Sequence, residues 1–114
     1  MGLGSSATSG QRWGTRVPLR HPVTIQWESH GLTGMLHTIS VSGCFVEIAF
    51  PYPIGAELSL AFRLDPHTPP VTITGKVVMR NLGGIGVRFL YQDQELQLML
   101  KWWIDAHGSR PSAA

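Results

Sequence analysis

Apolar and polar residues alternate with period two in several separate stretches of this chain, the mark of strands with one buried face. Val23, Ile25 and Trp27 alternate with Thr24, Gln26 and Glu28. Ser29-His30-Gly31 then reads as a turn, and a second, less regular strand spans residues 33–40. Val41-Ser42-Gly43 is a tight turn in which Gly43 can supply a positive φ. A strand over residues 44–49 follows, with Phe45 on the face opposite Cys44 and Val46. Leu58, Leu60, Phe62 and Leu64 give the clearest alternation, and Val71, Ile73, Gly75 and Val77 share one face of a long strand from 71 to 80. Gly75 predicts a bulge or bend within it. Asn81-Leu82-Gly83-Gly84 forms a hairpin turn, and residues 85–90 return as the last strand. The Pro51-Tyr52-Pro53 and Pro66 to Pro70 segments are loops, because proline offers no donor to a strand ladder.

Past Tyr91 the period changes. Asp93 is suited to cap a helix from Gln94 to about Ala106, with Leu96, Met99, Leu100 and Trp103 at helical spacing and Gly108 ending it. Six strands with short connections and one terminal amphipathic helix predict an all-β fold, a six-stranded antiparallel β-barrel with a C-terminal α-helix. Trp102 and Trp103 lie about 100° apart on such a helix and cannot both sit at the centre of one apolar stripe. With Trp103 in the stripe, Trp102 falls at its edge, and core packing there is the simpler reading. The alternative is a partner or homodimer interface carried by Trp102 and Trp103 and extended by Tyr52.

Length and composition narrow the function. The 114 residues make one domain: a Gly/Ser-rich tail over 1–10, a folded unit over 11–107 and a short tail over 108–114. The formal charge is only +2, and Lys76 and Lys101 are the sole lysines, so any anion site is an arginine site. Basic residues interleaved with aromatics across a strand face are missing, which argues against a nucleic-acid polymer as ligand. The single Cys44 cannot form an internal disulfide, and no run suits a signal peptide or a membrane span, so a cytoplasmic location is expected. The five histidines are scattered singly, predicting no metal site. Gly83-Gly84-Ile85-Gly86 precedes a strand and not a helix, which excludes a phosphate loop, and no nucleophile elbow surrounds Ser40 or Ser42. No enzyme is predicted.

The chemistry concentrates in Gln11 to Arg20, which holds Arg12, Arg16 and Arg20 without one acidic residue. A guanidinium is a planar fork of permanent charge, suited to paired phosphate oxygens or to the O6/N7 edge of guanine. Arg12 and Arg16 flank Gly14, and Val17-Pro18 stiffens the chain just beyond. Such a pair reads either as an anion clamp or as a solvated basic linker.

Three segments in order then resemble the PilZ domain family of bacterial cyclic di-GMP receptors, over about residues 11 to 106. Arg12-Trp13-Gly14-Thr15-Arg16, with Val17-Pro18-Leu19 behind it, is similar to the family's RxxxR; Thr38-Ile39-Ser40-Val41-Ser42-Gly43 stands where the family has [D/N]xSxxG; and Gly84 to Phe89 resembles its glycine-rich last strand. An Arg16/Arg20 register also satisfies RxxxR, but only Arg12/Arg16 places Val-Pro-Leu after the second arginine. The resemblance implies that Arg12 and Arg16 grip phosphate and guanine and that Thr38, Ser40 and Gly43 form a guanine-side shelf. Trp13, which the family does not require, is a candidate stacking face, and Arg20 is either a third phosphate contact or a solvated charge. Arg88 is expected to face solvent, and His37 to point away from Thr38. The resemblance further implies no cofactor, a non-enzymatic receptor and a downstream effector protein that reads the ordering of the arginine segment. Thr38 departs from the family's Asp or Asn and replaces a charged or amide acceptor by a hydroxyl. That leaves open the alternative of a degenerate PilZ domain that acts through proteins alone, in motility, pilus or exopolysaccharide machinery.

Overall fold

The structure, a computed structural model, describes residues 16–108. Six strands run β1 (Val17–Trp27), β2 (His30–Ile39), β3 (Gly43–Glu47), β4 (Glu57–Phe62), β5 (Val71–Asn81) and β6 (Gly84–Leu90), followed by helix α1 (Gln94–Gly108). They close into a barrel in the order β1-β2-β3-β6-β5-β4, with every neighbouring pair antiparallel. The inward residues are those the alternation selects: Val23, Ile25, Leu58, Leu60, Phe62, Ile73, Val77, Ile85 and Val87 are all buried. Each contributes roughly 1.5–3 kcal/mol of apolar burial if a large aliphatic or aromatic. Helix α1 adds Leu100, Trp103 and Ile104 to the same core. Its start is fixed by Asp93, whose Oδ1 accepts from the Glu95 backbone N–H at 3.0 Å.

Strand β1 begins six residues before the apolar alternation does, despite Pro18 and Pro22. The partners explain this. Residues 17–22 pair only with β2, while β4 joins β1 from Val23 onward, so the prolines sit on an edge where no donor is needed. The bulge anticipated at Gly75 lies instead between Val77 and Met79 in the β5–β6 ladder. Gly75 serves close packing: a Cβ there would collide with the Val87 side chain on the neighbouring strand β6. Gly43 likewise is not at positive φ; among the described glycines only Gly55 (93°) and Gly84 (154°) are. What Gly43 supplies is room, since a Cβ would run into the Val87 carbonyl oxygen of β6.

The β1–β2 turn carries the one backbone strain among described non-glycine residues, Glu28 at φ 57°. This exposed residue occupies a two-residue connection between the paired Trp27 and His30. Left-handed backbone costs an L-residue about 1–2 kcal/mol that glycine does not incur. Glu28→Gly is therefore expected to stabilise the domain by about 1 kcal/mol, raising its melting temperature by roughly 4–8 °C. A thermal melt showing no rise would mean that the strain relieved does not exceed the flexibility glycine adds to the unfolded chain.

Candidate functional site

A cleft of about 320 Å³ opens on the outside of the barrel where β2, β3, β6 and β5 adjoin. That volume lies at the lower end of the roughly 300–1,000 Å³ usual for small-molecule sites. The pairing Val17↔Ile39 carries Arg16 to the level of Ser40, so the start of β1 and the end of β2 deliver both to one rim. Thr38, Ser40, Ser42 and Gly43 form the adjoining wall. Phe45 and Gly86, directly opposite each other on β3 and β6, give the floor. Val78 and Met79, turned outward by the β5 bulge, form an apolar far wall.

The wall over residues 40–43 is a built turn. Ser40 N–H donates to the Gly43 carbonyl at 2.8 Å, and Ser40 Oγ reaches the same oxygen at 3.3 Å. Ser42 N–H donates back to Ser40 Oγ at 3.3 Å, with the two hydroxyls 3.2 Å apart. Strand β6 and the residue beyond it brace the turn from behind: Phe89 N–H donates to Ser42 O at 2.8 Å and Tyr91 Oη to Val41 O at 2.6 Å. Ser40 is only 5% exposed, so its first role is to hold this turn in shape. Burial pushes the Tyr91 phenol well above its ordinary value, with the neighbouring Cys44 adding to the shift. Burial also raises the Cys44 thiol to about 12, so the one cysteine lining the cleft is a neutral packing group and not a nucleophile.

The structure places most of the residues that the sequence singled out. Arg16, Thr38, Ser40 and Gly43 converge on one cleft, although Arg16 is remote from the others in sequence. Arg12 and Trp13 lie outside the described residues. Arg20 is exposed on β1 and does not line the cleft. Arg88, expected to face only solvent, lines it, because the β3–β6 register sets Arg88 opposite Gly43. Alternation along β6 carried that signal: with Val87 and Phe89 inward, Gly86 and Arg88 share the outer face. His37 does not simply point away. A bulge between Leu36 and Thr38 interrupts the β2–β3 ladder, and the His37 ring packs edge-on against Phe45 at 6.1 Å.

The suggested aromatic interface also changes. Tyr52 is 1% exposed, packed against Trp27 and Phe50, and so adds nothing to a surface. Trp103 is 4% exposed while Trp102 is 70% exposed, so Trp102 stands clear of the core edge assigned to it and the pair divides between core and surface. Among the described residues there is no cluster of three His, Cys, Asp or Glu groups able to hold a metal, and no helix long and apolar enough to cross a membrane.

Comparison with known proteins agrees with this fold. No curated protein matches the chain in sequence. Among solved structures, the PilZ domain of CeSA from a cellulose-synthesizing bacterium matches with a TM-score of 0.65 and 16% identity, over 81% of this chain and 93% of that one. The Bacillus subtilis inhibitor of motility MotI/DgrA gives 0.66 and 17%, over 78% of this chain and 46% of that one. The K. pneumonia MrkH–c-di-GMP complex gives 0.62 and 19%, over 80% of this chain and 50% of that one. This chain thus spans about half the length of MotI/DgrA and MrkH. At these identities the likeness is one of fold, and the family rests on the sequence model: the PilZ domain model matches residues 10–106, nearly the whole of the barrel and helix, and the chain belongs to the PilZ domain family.

Proposed function

We propose that this protein is a non-enzymatic receptor for cyclic di-GMP that passes the signal to a protein partner. The observation that carries the reading is the convergence of Arg16, Thr38, Ser40 and Gly43 on one cleft. Arg16 supplies a fixed cationic fork at the rim, and Arg12, four residues earlier, is positioned in sequence to supply a second. The half-buried Phe45 and the outward Val78 and Met79 give apolar surface for a purine face. Binding through both arginines fixes the segment preceding β1 on the cleft, and that ligand-dependent surface is what a partner reads. The MrkH structure, similar to this chain over half of its own length, is a complex with c-di-GMP, which supports the ligand class.

Titration calorimetry with cyclic di-GMP tests this. Arg16 is exposed, so Arg16→Ala should leave the melting temperature unchanged. Losing a charge-assisted hydrogen bond of about 1.5–3 kcal/mol should weaken binding roughly 10- to 150-fold. Heat absent from the unaltered protein, with no ligand-induced thermal shift, would refute the receptor. A protein-interaction module would then be favoured by one specific observation. Leu98 and Trp102, one turn apart on the outer side of α1, are 59% and 70% exposed.

A further inference from the structure

Two stretches of open strand edge, where the barrel strands are staggered, are built in contrasting ways. Residues 17–22 of β1 lack a β4 partner and carry Pro18, Pro22 and a bulge, devices that keep an edge from recruiting another strand. Residues 30–34 of β2 lack a β3 partner, because that ladder begins at Met35. This second edge has no such protection. From Ser29 to Met35 it holds no proline, no lysine, no arginine and no acid, and its ladder with β1 is regular. His30, Gly31, Leu32 and Thr33 are all exposed.

The register says which groups point outward. The two-residue connection makes Trp27↔His30 a hydrogen-bonded pair, and alternation then bonds Leu32 and Gly34 to β1 as well. Gly31 and Thr33 therefore aim N–H and C=O away from β1, where no described strand meets them. A groove of about 540 Å³ opens where β3 ends, lined in part by Thr33, Gly34, Met35, Ile48 and Leu82. It leaves room beside the edge for another backbone.

We propose that two copies of this protein associate through this edge, pairing antiparallel about Leu32. Gly31 of each copy faces Thr33 of the other and exchanges two hydrogen bonds with it. The two Leu32 side chains meet between them at the non-hydrogen-bonded position, where strands approach most closely. Leu32 is 39% exposed and outside the core cluster, so the contact covers apolar surface that a single copy leaves in water. The occupant is a second copy because the segment is its own complement: donors meet acceptors in both copies, and no charge opposes a like charge. An edge without charge carries nothing that would select a different chain. Thr38 lies six residues along β2, about 20 Å from Leu32, so the pairing stays clear of the cleft. It does not depend on the receptor reading.

Sedimentation velocity on the full chain, across micromolar to millimolar concentrations, should show a monomer–dimer equilibrium. Thr33→Pro removes an outward N–H and spares every bond to β1. Because the two-fold repeats the loss, the dimer Kd should rise about tenfold or more. Leu32→Lys and Leu32→Glu each set like charges opposite one another and should each be monomeric. Mixing these two variants should restore a dimer, which a general loss of stability would not allow. A chain that stays monomeric at millimolar concentration overturns the proposal. So does a dimer that survives Thr33→Pro and Leu32→Lys, a dimer lost in Trp102→Ala instead, or a Lys/Glu mixture that stays monomeric.

Discussion

Replacing Gly43 by alanine should destabilise the domain by about 3 kcal/mol, a large effect for the addition of one methyl group. The added Cβ would point into the Val87 carbonyl oxygen and sit tight against the Arg88 Cα, all backbone of the partner strand. A flexible side chain can swing away from an intruding methyl, whereas a strand held by its own ladder cannot. Relief requires β3 and β6 to separate, and β3 is only five residues long, so little of its pairing survives a displaced end. Gly84 guards the other end of the same seam. A Cβ there would meet the Val46 carbonyl, and its φ of 154° disfavours an L-residue as well. Gly86 is the control. It lies between them on β6, but a Cβ would touch only Met79 at 3.5 Å, an ordinary contact. Gly86→Ala should stay within about 0.5 kcal/mol of the unaltered protein in urea unfolding. Equal losses at positions 43 and 86 would contradict the close-approach explanation.

This bears on how the cleft is dissected. Because Gly43 keeps β3 and β6 in contact, a Gly43 variant that fails to bind a dinucleotide says nothing about whether Gly43 touches it. Arg16 and Thr38 are the informative positions. One is exposed at the rim and the other half-buried on the wall, and neither is in the barrel core.

The parts of the fold legible in the sequence were those governed by local periodicity. Leu58 to Leu64 and Val71 to Val77 alternate cleanly and are buried as the alternation requires. Asp93 and Asn81 act through neighbours two or three residues away, the latter accepting from Gly83 N–H at 2.7 Å and Gly84 N–H at 3.1 Å to shape the β5–β6 turn. The first half of β1 was not legible, because two prolines are acceptable in a strand only when its other edge is unpaired, and that depends on where β4 attaches. The cleft was half legible. Arg16, Thr38, Ser40 and Gly43 stand in recognisable order, whereas Arg88 depends on the β3–β6 register, and Val78 and Met79 on a bulge with no glycine to announce it. Trp102 and Trp103 could not be apportioned by spacing alone. Adjacent residues on a helix have different faces, and which face is covered is decided by the loop that packs there.

That loop makes Trp103 the second site of large effect. Trp103→Ala is expected to cost about 3–5 kcal/mol, the range for deleting a large buried aromatic. The ring is 4% exposed, His107 stacks on it at 4.1 Å, and its Nε1–H donates to Asp65 Oδ2 at 3.1 Å in the β4–β5 connection. Helix α1 is thus joined to the barrel by packing and by the Trp103–Asp65 hydrogen bond, and the two can be separated. Trp103→Phe keeps an aromatic ring and removes the donor, and should cost less than Trp103→Ala. Its cost should also depend on pH. The Trp103 N–H holds the Asp65 carboxyl below its ordinary 3.8, with help from the His67 backbone N–H, the His67 charge and the Thr68 backbone, against an opposing effect of desolvation. A carboxyl whose folded value is lowered adds stability that is whole above the unfolded value and fades as the pH falls through the folded one. The stability gap between the unaltered protein and Trp103→Phe, read by urea unfolding at several pH values, should be constant near neutrality and narrow below about pH 4. A gap that persists unchanged into acid would mean that Asp65 does not use its charge on the indole. The indole N–H would then be bonded to Asp65 as to any neutral acceptor, beside the burial of Leu100, Trp103 and Ile104.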